Sequence, residues 1–552
     1  MALDLTSLPH NTLAAQLAET VRDFPDQEAF VAPGERLVWR DLESATLRTA
    51  KALMAAGVQR GDHVGILMGN SGQWLTFFFA CACIGATTVP INTRFKTEEL
   101  GYCLRQSDVS CLVFSSGFLG IDYRRMLEEA EPGFKLSGGL PGSKLPKLRL
   151  AIMTGSGDVP AGAISYETWM ARSDATDDDA LMARAQAVTP DDVLLIQYTS
   201  GTTSFPKGVM LSHANMLLDA RAAAARMGVL PTDRYFSIRP FFHVAGSTLS
   251  LLVALNTGCC LLTLPKFDVS ENLRMLQDER CTLISGNDTI FLMLMAHEDF
   301  ARTQLHLRGG WAAAGPEVMQ KIHDLMGATE VCNAYGQSEA SPNVLMSDRR
   351  DPIELRVSGF AYPHPGIDVR LADPNTDEPV ESGHNGEIQV KGWNVMRGYY
   401  QLPEATAKAF TADGWLKTGD VGERDDQGRL RMVGRLKDLY RVGGENVAPA
   451  EVEEVLHAHP AVQQAQVIGV PDARLGEVTG AFVLLKQGQA ATSEELVDWC
   501  RQRCANFKVP RYLAVIDTFE HIGMTGSSKI QKNKLREHAI ALWQLDRTLS
   551  KI

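Results

Sequence analysis

Residues 193–208 read VLLIQYTSGTTSFPKG, an apolar run followed by a loop of small hydroxyl residues that ends in Lys207 and Gly208. The short run 193–196 favours a buried strand. The loop after it can present consecutive N–H groups to phosphate oxygens, with hydroxyls and an ammonium as further donors. It is not the GxxxxGK[ST] motif of P-loop NTPases, because Lys207 follows Gly201 by six residues and precedes a glycine. The stretch therefore predicts a strand followed by an anion-binding loop.

Strand-like and helical patterns alternate along most of the chain around this stretch. Residues 63–68 and 111–115 are strand-like, and the helical run 74–84 separates them. This alternation predicts βαβ units, so we expect an α/β fold with layered, mostly parallel sheets and helices on both faces. Residues 367–392 carry turn signals and predict a small antiparallel unit, and the acidic residues 174–179 predict a surface linker.

A chain of 552 residues is too long for one compact core. A new unit begins near residues 435–438, since a helix is expected to open near Pro449 and a strand to cover residues 465–470. The expected domains are therefore an N-terminal domain of residues 1–435 and a smaller α+β domain of residues 436–552.

The composition excludes several classes of function. A net charge of −12 without a basic tract argues against nucleic-acid binding. Ten irregularly spaced cysteines argue against a disulfide framework, and Cys500 and Cys504 are expected to pack in a core rather than bind zinc. The first ten residues show no secretory pattern, so a reducing cytoplasm fits best. The uncharged residues 244–265 contain polar and glycine interruptions, which favour a buried helix and strand over a membrane span.

Several motifs together resemble the adenylate-forming superfamily, which contains acyl-CoA synthetases, luciferases and peptide-synthetase adenylation domains. Residues 198–208 are similar to its signature YTSGTTGxPKG, with Ser204 where the family usually has glycine. Residues 333–339, NAYGQSE, resemble its YGxTE motif, with Ser338 in place of threonine. The resemblance runs from about residue 10 to residue 536.

The resemblance implies a nucleotide site. Tyr335 would stack on adenine, Asp420 would bind the ribose hydroxyls with Arg435 as its basic partner, and Glu339 would hold Mg²⁺ on the phosphates. The residues expected to contact ATP or AMP are Thr199, Ser200, Gly201, Thr202, Thr203, Lys207, Ala314, Gly315, Pro316, Tyr335, Gly336, Gln337, Ser338, Asp420, Arg435 and Lys529.

The C-terminal motifs imply a moving domain. Residues 523–534, GMTGSSKIQKNK, resemble the family's PRTxxGKIxK ending, so Lys529 is the expected catalytic lysine, although Gly523 and Ser528 depart from the pattern. Lys437 is the expected hinge. The expected CoA-binding residues, at a pantetheine tunnel, are Arg441, Gly443 and Gly444.

The acyl pocket is expected to include His243, Val244, Gly246, Ser247 and Trp311, and its apolar lining indicates a hydrophobic chain or ring. His243 and Thr199 join Lys529 as expected catalytic residues. The implied function is an ATP-dependent carboxylic acid:CoA ligase that uses ATP, Mg²⁺ and coenzyme A on a small-molecule acid. The choice of acid, the pathway and the assembly, including a homodimer, stay open.

Further functions are compatible with the same motifs. An amino-acid-activating domain is disfavoured because residues 235–267 contain no Asp or Glu to anchor a substrate ammonium. A luciferase-like oxygenase shares the same loops. An enzyme that transfers the acyl group to an acceptor different from CoA, and a nonenzymatic nucleotide or acyl binder, would have the same fold.

Overall fold

A computed structural model describes residues 10–199, 206–381, 383–443, 445–522 and 530–545. Its strands are, in chain order, β1 (Glu28–Ala32), β2 (Glu35–Val38), β3 (His63–Leu67), β4 (Thr87–Pro90), β5 (Val109–Ser115), β6 (Gly117–Phe118), β7 (Ile121–Asp122), β8 (Leu150–Thr154), β9 (Ile164–Ser165), β10 (Val193–Thr199), β11 (Lys207–Ser212), β12 (Arg234–Ser237), β13 (Cys260–Leu262), β14 (Leu283–Asn287), β15 (Gly309–Ala313), β16 (Glu330–Gly336), β17 (Asn343–Met346), β18 (Ile367–Ala372), β19 (Gly386–Gly392), β20 (Gly398–Tyr399), β21 (Leu416–Arg424), β22 (Leu430–Arg435), β23 (Tyr440–Val442), β24 (Glu445–Val447), β25 (Val462–Asp472), β26 (Gly476–Leu485) and β27 (Tyr512–Ile516).

The α-helices are α1 (Leu13–Asp23), α2 (Trp39–Ala55), α3 (Gly72–Ile84), α4 (Thr97–Gln106), α5 (Tyr123–Ala130), α6 (Tyr166–Met170), α7 (Asp178–Gln186), α8 (His213–Met227), α9 (Val244–Gly246), α10 (Val253–Thr257), α11 (Val269–Asp278), α12 (Asp288–Ala296), α13 (Pro316–Met326), α14 (Ile353–Ser358), α15 (Pro403–Ala409), α16 (Pro449–His457), α17 (Ser493–Arg501) and α18 (Lys532–Leu542).

Two large sheets confirm the predicted α/β class. One has the order β17-β16-β15-β14-β12-β13-β1-β2, and the other has the order β20-β11-β10-β4-β3-β5-β8-β9. The central strands of both are parallel, whereas β17, β2, β11 and β20 pair antiparallel. Parallel strands place their carboxyl ends on one edge, where ligands of α/β proteins commonly bind.

Helix α3 is buried along almost its whole length within the core shared by these sheets. It begins where the Ser71 hydroxyl accepts from the Trp74 N–H, and it ends at Gly85, whose φ of 69° suits only a residue without a Cβ. A helix that is apolar on every side is stable only where both faces are covered. The apolar sequence of α3 therefore requires that the helix be covered on all sides.

The antiparallel unit predicted for residues 367–392 forms part of a sheet with the order β18-β19-β21-β22. Farther along the chain, β23 to β27 make another sheet with its own core, drawn from residues between Tyr440 and Leu545. Cys500 packs in that core, and the Cys504 thiol donates to the Cys500 carbonyl.

Two sequence interpretations can be compared directly with these elements. The linker predicted at residues 174–179 is wrong in part, because α7 begins at Asp178 after Asp177 accepts from the Ala180 N–H and caps it. Residues 244–265 form a helical segment followed by strand β13, as predicted, and the middle of this segment, Ser247–Leu252, is a π-helix. In the part of the chain that the structure describes, no helix combines the length and apolar character needed to cross a membrane.

Candidate functional site: a nucleotide cleft beside an acyl pocket

The expected phosphate loop joins two neighbouring antiparallel strands. Thr199 ends β10, Lys207 begins β11, and these two residues are cross-strand partners. The pairing brings both ends of the loop together at the edge of the sheet. Ser200, Gly201, Thr202 and Thr203, together with Ser204, lie outside the described residues.

Lys207 and Glu339 are connected by a tyrosine that the sequence analysis missed. The Lys207 Nζ lies 4.8 Å from the centre of the Tyr399 ring, and the Tyr399 hydroxyl donates to Glu339 Oε1 over 2.9 Å. Burial and the neighbouring carboxylate raise the pKa of Tyr399, so the phenol keeps its proton and acts as a donor. Strand β20 carries Tyr399 and pairs with β11, which explains how residues distant in sequence meet.

Tyr335, Asp420 and Arg435 form a connected group. The Tyr335 hydroxyl donates to Asp420 Oδ2 over 2.9 Å, and Arg435 Nε lies 3.1 Å from Asp420 Oδ1. Asp420 and Arg435 are cross-strand partners in β21 and β22. Asp420 is only 2% exposed, so its charge is held by its partners rather than by water.

The turn after Tyr335 is determined by close backbone packing. A Cβ on Gly336 would lie 1.8 Å from the Pro342 carbonyl oxygen, so only glycine fits. Gln337 and the buried Ser338 follow, and Ser338 opens a 3₁₀ turn that contains Glu339. The Met396 N–H donates to the Glu339 carbonyl over 2.9 Å, which fixes this turn against the segment before β20.

We expect a Gly336→Ala substitution to destabilise the protein by about 3 kcal/mol, because the methyl group must displace backbone atoms. Gly315→Ala is the matched control, since a Cβ there meets nothing within 4 Å. Chemical unfolding of both variants measures the difference. Equal stabilities would contradict the packing described for Gly336.

Three of the residues expected to contact ATP or AMP lie between the end of β15 and the start of α13, where the resemblance implies a loop along the adenine. Ala314 and Gly315 precede Pro316, the first residue of α13. The Gly315 N–H donates to Asp288 Oδ1 over 2.9 Å, and Asn333 Nδ2 donates to the Ala314 carbonyl over 3.1 Å. Asp288 and Asn333 hold the loop from either side, and the sequence motifs did not predict either contact. Burial raises the pKa of Asp288, against the effect of the Gly315 N–H.

The residues expected at the hinge and CoA site follow β22. Lys437 is exposed and lies in the short 3₁₀ turn Leu436–Asp438. Arg441 is exposed on β23, and Gly443 takes a φ of 60° in the turn to β24. Gly444 lies outside the described residues, as does Lys529.

A cleft of about 160 Å³ lies beneath the hinge turn. Its lining combines residues of the antiparallel sheet with residues from the start of the C-terminal unit: Gly386, Glu387, Val421, Leu436, Leu439, Ala448 and Glu451.

The expected acyl-pocket residues occupy two elements. His243 is exposed and caps α9, because its Nδ1 accepts from the Ala245 N–H over 3.1 Å. Val244, Gly246 and Ser247 follow and are buried. A Cβ on Gly246 would lie 2.1 Å from the Pro240 carbonyl oxygen, so the segment folds tightly on itself.

Trp311 joins this segment through a tyrosine. The buried Trp311 Nε1 donates to the Tyr235 hydroxyl over 2.8 Å, and that hydroxyl donates to the Leu249 carbonyl over 2.8 Å. The indole of β15 is thereby fixed against the helical segment that begins at His243. The expected pocket residues come together in the fold.

Comparison with known proteins identifies the family. Residues 17–400 match the sequence model of the AMP-binding enzymes, and residues 451–529 match that of the AMP-binding enzyme C-terminal domain. The chain belongs to the AMP-binding enzyme family. The predicted membership of the adenylate-forming superfamily is thus confirmed.

Similar family members have been described from several organisms. The putative acyl-CoA synthetase YngI of Bacillus subtilis is 37% identical, over 98% of this chain and 99% of its own. The mitochondrial medium-chain acyl-CoA ligase ACSF2 of Danio rerio is 34% identical, over 96% of this chain and 88% of its own. The crystal structure of the anthranilate CoA ligase AuaEII with anthranoyl-AMP matches with a TM-score of 0.85 and 25% identity, covering 97% of this chain and 99% of that one.

Proposed function

We propose that the protein is an ATP-dependent carboxylic acid:CoA ligase. The acid attacks the α-phosphate of ATP, which forms an acyl-AMP anhydride and releases pyrophosphate. The thiol of coenzyme A then attacks the acyl carbon, which forms a thioester and releases AMP. Similarity to CoA ligases along nearly the whole chain supports this class.

The observation that carries the proposal is the joint placement of the nucleotide groups. Asp420, held by Tyr335 and Arg435, supplies a buried carboxylate for ribose hydroxyls. Lys207 lies at the mouth of the phosphate loop and adds positive charge where two anionic reactants must meet. The Gly315 turn, held by Asp288, brings backbone close to the adenine position.

Glu339 fits the proposed Mg²⁺ site. Magnesium is usually bound by one or two carboxylates together with substrate phosphates and water rather than by a full protein cage. No cluster of three His, Cys, Asp or Glu ligands occurs within the described ranges, so Glu339 would act with the phosphates. The Tyr399 hydroxyl orients this carboxylate through Oε1. When bound, the ion would neutralise charge on the phosphates.

The domain division at residue 435 is part of the same proposal. Lys437 would act as the hinge, and the turn containing Gly443 would line the pantetheine path with Arg441. His243 would orient the acid at the pocket entrance, and Lys529 would be presented by the C-terminal domain. The C-terminal sheet has a core of its own, as such a motion requires.

We expect Tyr399→Phe to lower kcat/KM for ATP about tenfold, the loss of one hydrogen bond to a charged group. The remaining ring still lies beside Lys207, so the effect isolates the bond to Glu339. The apparent KM for Mg²⁺ should rise as well. Tyr362→Phe is the control, because the Tyr362 hydroxyl is on the surface and donates only to the Gln427 carbonyl. Unchanged Mg²⁺ dependence in Tyr399→Phe would contradict the proposed role of Glu339.

The transfer step separates a CoA ligase from an enzyme with a different acyl acceptor and from a nonenzymatic binder. With ATP, Mg²⁺, CoA and a competent acid, mass spectrometry should show AMP and acyl-CoA rising together. Without CoA, acyl-AMP should persist on the enzyme. Acyl-AMP that forms but is never consumed by CoA would favour delivery to another acceptor, and nucleotide binding without acyl-AMP would favour a nonenzymatic binder.

A further inference from the structure

Arg239 is a partly buried arginine beside the proposed acyl pocket, four residues before His243. Its guanidinium carbon lies 5.6 Å from the centre of the Trp311 ring. Asn70 fixes the backbone on both sides: its Nδ2 donates to the Arg239 carbonyl over 3.0 Å, and its Oδ1 accepts from the Phe241 N–H over 2.8 Å. These bonds hold the backbone at the position from which the Arg239 guanidinium lies over the Trp311 ring.

No counter-ion of this guanidinium is found among the described residues. Within the described part of the chain, neither a carboxylate nor any hydrogen-bond acceptor contacts it, and its Nε is fully buried without a partner. Burial lowers the pKa of Arg239 to about 10, so the group still carries its proton at neutral pH. A charge that is partly withdrawn from water and has no protein partner is less favourable than a paired one, and a bound anion would remove that cost.

Other partly buried arginines show the contrast. Arg308 pairs with Asp233 and Glu330, and Arg356 donates to three backbone carbonyls, those of Asp351, Val331 and Thr329. Among the residues described, the contact found for the Arg239 guanidinium is the face of Trp311, which can stabilise a cation but offers its N–H donors no acceptor. The planar fork of a guanidinium matches a carboxylate through two parallel hydrogen bonds.

The position of Arg239 separates it from the reacting end of the acid. Gln197 on β10 donates to the Phe242 carbonyl over 2.9 Å, so the His243 end of this segment lies next to the strand that leads into the phosphate loop. Arg239 lies at the other end of the segment, against Trp311. An acid that reaches from the His243 end toward Trp311 would bring its far end to Arg239.

We propose that the substrate is a dicarboxylic acid, activated at one carboxylate while Arg239 and Trp311 bind the other. This inference rests on the proposed ligase function and names its substrate class. It replaces the purely hydrophobic chain or ring expected from the sequence. The bound carboxylate would supply a partner that the guanidinium does not find among the described residues.

The test compares linear dicarboxylic acids, from glutaric to suberic acid, with the monocarboxylic acid of the same length. Pyrophosphate release in the presence of CoA gives kcat/KM for each member of a pair. For the best pair we expect the wild type to favour the diacid by about 100-fold or more, and Arg239→Met to abolish that ratio, because a polar site rejects a substrate that leaves it unpaired. Arg239→Lys should keep part of the ratio.

Two kinetic results would overturn the inference. One is a wild-type preference for the monocarboxylic acids. The other is an equal loss in Arg239→Met for both members of each pair, which would place Arg239 at the reacting carboxylate or the nucleotide.

Thermal shifts with the diacid alone keep this inference separate from the ligase function. A diacid that raises the Tm of the wild type but not of Arg239→Met supports the subsite. If no acid releases pyrophosphate in the same preparation, the ligase function is contradicted while the subsite stands. If no diacid raises the Tm of the wild type more than its monocarboxylic partner does, the subsite is overturned.

The stability of the free protein provides a further readout. Arg356→Met should lower the Tm, because it removes three hydrogen bonds from a residue that is 4% exposed. Arg239→Met should keep or raise the Tm, since it removes a partly buried charge that has no partner among the described residues. A fall in Tm as large as that of Arg356→Met would assign Arg239 to structure rather than to substrate binding.

Discussion

Lys529→Ala is expected to lower the rate of acyl-AMP formation by about 1000-fold, the loss seen when a group that stabilises developing charge is removed. The acid and ATP are both anionic. The single positive charge of Lys207 would offset only part of the negative charge at the α-phosphate. Lys532 anchors the chain just beyond this lysine, because its Nζ lies 2.6 Å from Glu453 Oε1 and donates to the Val467 carbonyl. The C-terminal core therefore holds the chain at Lys532, three residues after Lys529.

The second half-reaction should survive the same substitution. When acyl-AMP and CoA are supplied directly, Lys529→Ala should form the thioester within about tenfold of the wild-type rate, since it lacks only a group used in the first transition state. Lys534→Ala is the control for loss of charge, because Lys534 is an exposed lysine at the end of the same motif, residues 523–534. Equal losses in both half-reactions, or in both variants, would contradict a specific role for Lys529 in adenylation.

Asp420→Asn is expected to lower kcat/KM for ATP by about 100-fold. The amide keeps the shape of the side chain but loses the charge that Arg435 and the ribose hydroxyls would share. Asp420 is 2% exposed, so water cannot replace these contacts. Isothermal titration with ATP and steady-state kinetics measure the effect, and the free energy of unfolding shows how much of it comes from stability.

Tyr335→Phe gives the matched comparison for Asp420. It removes one donor to the carboxylate over 2.9 Å and leaves the ring in place. We expect less than about a tenfold change in ATP affinity from this single bond. A Tyr335→Phe effect as large as that of Asp420→Asn would mean that the hydroxyl, rather than the carboxylate, dominates nucleotide binding.

The fold followed from local patterns that the structure confirms. The apolar run before the phosphate loop became β10, and the helical pattern at residues 74–84 became most of the buried α3. The acidic stretch at residues 174–179 was misread because its charges look like a linker, while Asp177 in fact caps a helix. The acidic composition of this stretch correctly indicates a surface position. It does not show that a helix begins there, because the cap depends on the position of the Asp177 side chain alone.

The site was only partly accessible from the sequence. Motifs predicted roles for Lys207, Asp420 and Arg435, but not the contacts that residues distant in sequence make around them. Tyr399 reaches Glu339 only because β20 adds to the edge beside β11, and Asp288 meets Gly315 across neighbouring parallel strands. Such pairings depend on sheet order, which periodicity alone does not specify.

Arg239 is a further residue whose surroundings could not be predicted from the sequence. In the sequence it is one charged residue before an apolar motif, and an isolated arginine is normally a solvated surface group. Only the structure shows that it is partly buried over the Trp311 ring and that its Nε has no partner among the residues described. The apolar neighbours led to the expectation of a hydrophobic substrate.

Pyrophosphate release over a panel of monocarboxylic, dicarboxylic, alicyclic and aromatic acids, with and without CoA, tests the central claim most directly. We expect at least one acid to give CoA-dependent release that Lys529→Ala loses, which would establish the ligase and its substrate class together. Absence of pyrophosphate release with every acid, from a folded protein that binds ATP, would contradict the ligase function and leave a nucleotide binder of the same fold.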